Sequence, residues 1–246
     1  MSPPWRRELK YWSTPAQEAA LLAELGPLLA RDRRTSAASP SYTVTSLYLD
    51  TAGLDGFYER EEGVGRRAKL RLRRYGAERG GFAELKERRG SRVRKWRVPL
   101  GGEELERLAR GDLEPLDAAR AAGSQEAARV LLELARRPLE PAVITRYERE
   151  AWEHELDPGL RVTFDRALCG AGEDLVDAFL SPQVASLELT PLHGETPTIL
   201  EVKTTRPLPP SLCAALRRGG PRWTRISKFC LAVAATRPLG AASRGR

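Results

Sequence analysis

The chain contains few of the residues that build metal clusters or disulfide frameworks. Its 246 residues include three cysteines and two histidines, and the cysteines are too widely spaced for a zinc motif. We therefore expect reduced thiols in a cytoplasmic protein. No run of about 18 apolar residues is present, and the N-terminus lacks the apolar segment of a signal peptide, so no membrane span is predicted. These absences leave an ordinary globular composition with 41% hydrophobic residues.

Positive charge is abundant and is concentrated in one segment. The sequence has 41 Lys and Arg against 33 Asp and Glu, a formal net charge of +8. Residues 66–97 alone hold 14 Lys and Arg and three Glu. The rest of the chain is therefore slightly acidic. A focused cluster of this kind predicts an anionic partner more strongly than a high overall charge would.

Short alternating runs predict an α+β fold. Strands are predicted over residues 5–12, 42–49, 67–75, 81–88, 92–99, 141–151, 159–168 and 197–204, with a weaker one near 184–189. Helices are predicted from Thr14-Pro15 onward, within 102–136 with breaks near Pro115 and Gly123, and over 209–217 and 225–236.

The connections between these runs predict how the strands are arranged. Short Gly-containing loops indicate antiparallel hairpins, including a turn at Pro158-Gly159. About eight strands joined in this way favour a closed antiparallel barrel, because closure removes unpaired edges. We expect one domain over residues 1–236 and a disordered tail over 237–246.

The alternation also predicts where the charges point, because every second residue of a strand lies on the same face. Cations recur on one face of at least six predicted strands, opposite apolar residues. On any single strand, a solvent-exposed face is the ordinary explanation. When such cationic faces recur on neighbouring strands of one sheet, their like charges repel one another unless an anionic ligand compensates the charge. With these faces inward, the barrel would be a cationic tunnel instead of a packed core.

The residue types on these faces indicate phosphate. Arginine predominates, and its planar guanidinium binds phosphate oxygens in pairs and stays charged when desolvated. Glu8, Glu84 and Glu201 interrupt the cationic faces. Each is either an ion-pair partner that positions an arginine or a ligand for Mg²⁺ or Mn²⁺, which accompany phosphates. Of the three, Glu201 is the predicted metal ligand.

Nine short elements, in order along nearly the whole chain, resemble the VTC domain, the catalytic part of the vacuolar transporter chaperone complex. They are Glu8-x-Lys10-Tyr11, Ser46-Leu47-Tyr48-Leu49-Asp50, Lys69-Leu70-Arg71-Leu72-Arg73-x-Tyr75-Gly76, Glu84-x-Lys86, Lys95-x-Arg97, Tyr147-x-Arg149-x-Ala151, Leu160-Arg161-x-Thr163-x-Asp165, Leu200-Glu201-Val202-Lys203 and Ser227-Lys228-Phe229. Any one element is weak, whereas nine in order are specific. The VTC domain belongs to the triphosphate tunnel metalloenzymes.

This resemblance implies an eight-stranded antiparallel tunnel lined by Arg and Lys, with inserted and C-terminal helices. It implies a polymerase that uses ATP and Mn or Mg to extend polyphosphate and releases ADP. The implied catalytic residues are Arg71, Arg73, Lys86, Arg149, Arg161 and Lys228. The implied substrate-binding residues are Lys10, Lys69, Lys95, Arg97, Lys203 and Ser227, with Glu201 holding the metal.

Two other functions of the same tunnel stay open at this point. A triphosphatase would use water as its nucleophile and would need a carboxylate base, for which Glu84 or Glu8 is a candidate. The hydrolases of the superfamily open with Glu-x-Glu-x-Lys, and Arg6 replaces the first Glu here. That departure favours the polymerase. A non-catalytic module that binds polyphosphate is the other alternative.

The expected partners are ATP and polyphosphate. Nucleic acid is not an expected direct partner, because the basic segment has few aromatic residues for base stacking. Tyr48 either packs in the core or forms a hydrogen bond near the ligand, and packing is the preferred interpretation. In the family, this domain can accompany a membrane channel. No such segment is present here, so a membrane partner would be a separate chain.

Overall fold

Eight antiparallel strands close into a barrel in the computed structural model, which describes residues 2–36, 38–181, 190–191 and 198–237. The strands are β1 (Arg6–Ser13), β2 (Leu29–Arg31), β3 (Tyr42–Asp50), β4 (Arg66–Tyr75), β5 (Gly81–Arg89), β6 (Arg92–Leu100), β7 (Glu140–His154), β8 (Asp157–Ala171), β9 (Thr190–Pro191), β10 (Thr198–Thr204) and β11 (Arg222–Trp223). The barrel runs β7-β3-β4-β5-β6-β1-β10-β8, and β8 pairs back to β7. The predicted closed barrel is therefore confirmed. The short strands β2, β9 and β11 pair with β7, β8 and β1.

Eight α-helices accompany the barrel in the described ranges. They are α1 (Pro15–Leu25), α2 (Asp55–Glu61), α3 (Gly102–Ala109), α4 (Glu114–Ala121), α5 (Gln125–Arg136), α6 (Leu175–Leu180), α7 (Pro210–Gly219) and α8 (Lys228–Thr236). Thr14, Ser124 and Ser227 cap α1, α5 and α8 by accepting a backbone N–H of the first turn. None of these helices is long and apolar enough to cross a bilayer.

The helices bury the outer faces of the barrel strands. On one side α3, α4 and α5 pack Leu105, Leu116 and Val130 against the apolar residues of β4, β5 and β6. On another side α1 and α7 cover Val162 and Val202. Because side chains alternate along a strand, covering the apolar faces from outside turns the charged faces inward. The packing of the helices against the outside of the barrel therefore leaves a cationic interior.

Most predicted element bounds agree with the structure to within a few residues, but the turn at Pro158-Gly159 is wrong. The hairpin turns at residues 155–156, and Pro158 and Gly159 lie inside β8. The pairing of β7 with β8 is irregular at this point, and the Gly159 N–H donates to Asp157 Oδ1 at 2.9 Å. That irregularity accommodates a proline, which has no N–H for a regular ladder.

Two other predictions concern the last part of the chain. The helix predicted over 225–236 begins at Lys228, because the preceding residues form β11 and an extended segment that ends at the cap Ser227. The weak strand near 184–189 lies outside the described residues. The predicted tail also lies outside them, apart from Arg237.

Candidate functional site

The barrel interior holds a cavity of about 840 Å³. Nineteen Lys and Arg residues and four Asp and Glu residues line it. All thirteen predicted site residues line this one cavity, although their individual roles stay predictions. The predicted site residues did not include a further group of lining arginines: Arg6, Arg7, Arg33, Arg34, Arg60, Arg67, Arg88 and Arg225.

Glu84 is buried behind the cavity wall, where it forms ion pairs with four of the predicted site residues. Its carboxylate has no solvent exposure and lies 2.7 Å from Arg71, 3.6 Å from Arg73, 3.1 Å from Lys95 and 2.5 Å from Arg97. Burial alone would raise the pKa of Glu84, but the four cations outweigh it and hold the pKa well below its usual range. Glu84 is therefore an ionised anchor that fixes the positions of four cations.

Asp165 is a second buried anchor, and it connects the barrel to α8. Arg149 donates two hydrogen bonds to its carboxylate, at 2.6 and 2.7 Å, and Lys228 Nζ lies 2.6 Å away. Burial opposes ionisation, but the charges of Arg149 and Lys228 hold the pKa of Asp165 below its ordinary value. This contact brings the first turn of α8 into the site, where Ser227 Oγ lies 3.5 Å from Lys69 Nζ.

Glu201 faces the cavity and is surrounded by cations. β10 pairs with β1 so that Glu201 lies opposite Lys10. Its carboxylate is 3.2 Å from Lys203, 3.7 Å from Arg149 and 3.9 Å from Lys10. Burial raises the pKa of Glu201, but Lys203, Lys10 and Lys228 lower it to well below its usual range. Glu201 is therefore an ionised carboxylate within a mainly positive cavity.

Glu8 is the diagonal neighbour of Glu201, since it pairs with Lys203 on β10. Lys86 and Arg6 donate to its carboxylate. Burial raises the pKa of Glu8, whereas Lys86 and other cations lower it to about 2. The described residues contain no group of three His, Cys, Asp or Glu that could enclose a metal. Glu201 and Glu8 fit instead a Mg²⁺ or Mn²⁺ site that one or two carboxylates share with substrate phosphates and water.

Four tyrosines hold arginines of the cavity. Each phenol oxygen accepts a hydrogen bond from one guanidinium, in the pairs Tyr48–Arg71 (2.8 Å), Tyr147–Arg73 (3.2 Å), Tyr75–Arg97 (2.8 Å) and Tyr42–Arg161 (3.3 Å). A neutral phenol orients an arginine without cancelling its charge. Tyr48 also packs against Phe229, with ring centroids 5.1 Å apart, so the packing prediction is confirmed but incomplete. The missed signal was the position of each tyrosine on the inward face of its strand.

The comparisons with known proteins agree with this geometry. The sequence model of the VTC domain matches residues 5–237. The chain belongs to the VTC domain family. No curated protein sequence matches it.

Several solved structures are similar to this chain at low sequence identity. A putative adenylyl cyclase from Hippeastrum with a dominant triphosphatase activity is 15% identical, with a TM-score of 0.52; the match covers 96% of this VTC domain and 97% of that chain. A putative adenylate cyclase from Vibrio parahaemolyticus is 12% identical, with coverages of 93% and 98% and a TM-score of 0.49. One from Bacillus halodurans is 10% identical, with coverages of 92% and 96% and a TM-score of 0.49. Identities this low bear on the fold and not on the reaction.

Proposed function

We propose that this VTC domain is a metal-dependent polyphosphate polymerase that transfers the γ-phosphate of ATP to a growing polyphosphate chain and releases ADP. The observation that carries the proposal is the charge of the cavity, where nineteen cations face four carboxylates. Such an excess is destabilising, and the buried Glu84 and Asp165 offset only part of it, so a ligand with many negative charges would compensate the rest. A triphosphate together with a polyphosphate chain supplies those charges.

The buried anchors suit phosphoryl transfer. Its transition state is loose, so catalysis consists mostly of positioning and of neutralising charge on the phosphoryl oxygens. Arg71 and Arg73 are held by Glu84, and Arg149 and Lys228 are held by Asp165, before any substrate binds. Cations fixed in this way need little reorganisation when the ligand arrives. They would orient the triphosphate for in-line attack.

The acceptor is the terminal phosphate of the chain, which is already an anion and needs no general base. One of its oxygens forms a bond to the γ-phosphorus while the bond from that phosphorus to the bridging oxygen breaks. ADP leaves with the electron pair of that bond. Glu201, with Glu8 beside it, would hold Mn²⁺ or Mg²⁺. A bound metal of this kind neutralises charge on phosphate oxygens.

Hydrolysis is the second candidate, because the Hippeastrum protein of the same fold has triphosphatase activity. Water as nucleophile would need a carboxylate base with access to the cavity. Glu84 has no exposure and is bound by four cations. Glu8 has a pKa of about 2 and accepts from Lys86. Glu84 is thus out of reach of the cavity and Glu8 is a weak base, which supports transfer to phosphate over transfer to water.

The test is incubation of the purified protein with ATP and Mn²⁺ or Mg²⁺, followed by separation of the products by length. We expect a ladder of polyphosphate with ADP release that is lost in Arg71→Ala and Glu201→Gln. Arg120→Ala, on the exposed surface of α4, is the control that should keep full activity. Free phosphate without chains would identify a triphosphatase. Tight binding without turnover would identify a binding module.

ATP and polyphosphate are the ligands of this proposal. A cytoplasmic location and a separate membrane partner stay predictions. The same holds for the lack of direct nucleic-acid binding.

A further inference from the structure

One end of the cavity carries arginines that the buried carboxylates do not hold. Arg60, Arg67, Arg88 and Arg225, here called the mouth cluster, line the cavity where three segments meet. These segments are the α2–β4 connection, the β5–β6 hairpin and the chain that follows β11. Arg225 is exposed and the other three are half-buried, so the cluster borders both the cavity and solvent.

Backbone carbonyls set the positions of the mouth cluster. Arg67 Nη1 donates to Val64 O at 2.6 Å, and Arg88 Nε donates to Gly90 O at 2.7 Å. Arg60 donates to the carbonyl of Arg225. Within the described part of the chain, Arg60 alone of the four forms a salt bridge, with half-exposed Glu61 at 3.2 Å. An exposed pair of that kind compensates little charge. Three of the four guanidinium groups are therefore oriented, and little of the cluster's charge is compensated.

The four arginines are close enough to repel one another. Burial lowers the pKa of Arg67, and the charges of Arg88 and Arg60 lower it further. Burial also lowers the pKa of Arg88, and Arg60 and Arg225 add to that effect while Glu8 opposes it. Like charges held together without a counter-charge are destabilising unless a ligand supplies one.

The mouth cluster continues the line of cations that leads out from the anchored residues. On β4, Arg67 and Lys69 share the inward face with Arg71. Arg67 is four residues from Arg71, or about 13 Å along an extended strand. A triphosphate group offers only three phosphates to this line of cations. A linear polyphosphate, which repeats its charge at every unit, could follow the whole line.

We propose that the mouth cluster is a separate binding subsite for the distal phosphates of linear polyphosphate longer than a triphosphate. Bound there, the chain would be retained between successive transfers. The retention step rests on the proposed polymerase function, whereas the binding step does not.

The test compares the affinities for tripolyphosphate and for a linear polyphosphate of several tens of phosphates. In the wild type, we expect the long chain to bind more tightly. In Arg88→Ala/Arg225→Ala, we expect long-chain affinity to fall about tenfold or more for each arginine, since each loses charge-assisted hydrogen bonds. Tripolyphosphate affinity should change by less than about twofold, because the distant anchored residues are intact.

Arg110→Ala/Arg120→Ala is the matched control, since it removes the same charge from exposed helix surfaces outside the cavity. Arg225→Ala alone is a second variant, because an exposed side chain can be removed without threatening the fold. Equal losses for both ligands, or equal losses in the control, would overturn the proposal. Unchanged long-chain affinity would also overturn it.

Product length separates this inference from the proposed function. If the wild type makes polymer, Arg88→Ala/Arg225→Ala should make shorter chains, whereas the Arg110→Ala/Arg120→Ala control should keep both the chain length and the initial rate of ADP release. Chains of unchanged length would overturn the retention step. If the wild type makes no polymer but the variant loses its preference for long chains, the binding subsite stands and the polymerase proposal fails.

Discussion

Replacing Glu84 with Gln tests whether four cations of the cavity depend on one buried carboxylate. Gln keeps the shape of the side chain and removes its charge. Four cationic groups, between 2.5 and 3.6 Å from the present carboxylate, would then face one another without a counter-charge. Breaking a buried ion pair by removing one partner costs about 3–5 kcal/mol. Four partners on a fully buried group place Glu84→Gln at the upper end of that range.

The effect is large enough to measure by thermal unfolding. A change of 1 kcal/mol shifts the midpoint by about 2–4 °C in a domain of this size, so Glu84→Gln should lower Tm by about 10–20 °C. Added tripolyphosphate should raise the Tm of the variant more than that of the wild type, since the ligand replaces the missing negative charge. Glu106→Gln, which removes a carboxylate exposed on α3, should change neither value appreciably.

A Tm within about 2 °C of the wild type would refute this reasoning, because it would mean that Glu84 contributes no more than a surface charge. Equal stabilisation of both proteins by tripolyphosphate would refute the second part. The cations around Glu84 would then not be the ones that the ligand contacts.

Three further predictions concern the cavity. Tyr48→Phe should lower the rate constant for ATP turnover about 2–10-fold with little change in Tm, because Arg71 loses one oriented acceptor; an unchanged rate would exclude a positioning role. Burial holds the pKa values of Lys95 and Lys203 well below 10.5, so unfolding takes up protons at alkaline pH. Raising the pH from about 7 to 10 should therefore stabilise the ligand-free domain in denaturant titrations and weaken tripolyphosphate binding. Lower stability or tighter binding at pH 10 would contradict this. Glu201→Gln should weaken Mn²⁺ binding by the nucleotide-bound protein in calorimetry, and unchanged affinity would remove Glu201 from the metal site.

The barrel and its inward charges could be predicted because their signals are local. Alternation of types in β4 and β5, and glycines between the strands, indicate hairpins and faces without knowledge of the partner strands. The turn near Pro158 was misplaced because a β-bulge depends on the facing strand as well as on the residues themselves.

Roles that depend on distant contacts could not be predicted in this way. Glu84 was a candidate base, but it is covered by cations from β4 and β6, and only the closed sheet reveals that. Arg67 was placed on the cationic face of its strand, but the mouth cluster as a group was not predicted, because Arg60 and Arg225 meet through the path of the chain after β11. No spacing in the sequence encodes that meeting.

The two ways of holding an arginine have different consequences for a polyanion. A carboxylate such as Glu84 orients its cations and cancels part of their charge. In the proposed polymerase, such cations would fix the orientation of the bound phosphates but bind them only moderately tightly. In the proposed polymerase, that balance would suit a site from which ADP leaves after each transfer. A carbonyl orients Arg67 or Arg88 and leaves the full charge for the ligand. That arrangement suits a segment that holds the chain without acting on it. In the proposed polymerase, exchanging the two kinds of support should therefore slow product release and weaken chain retention.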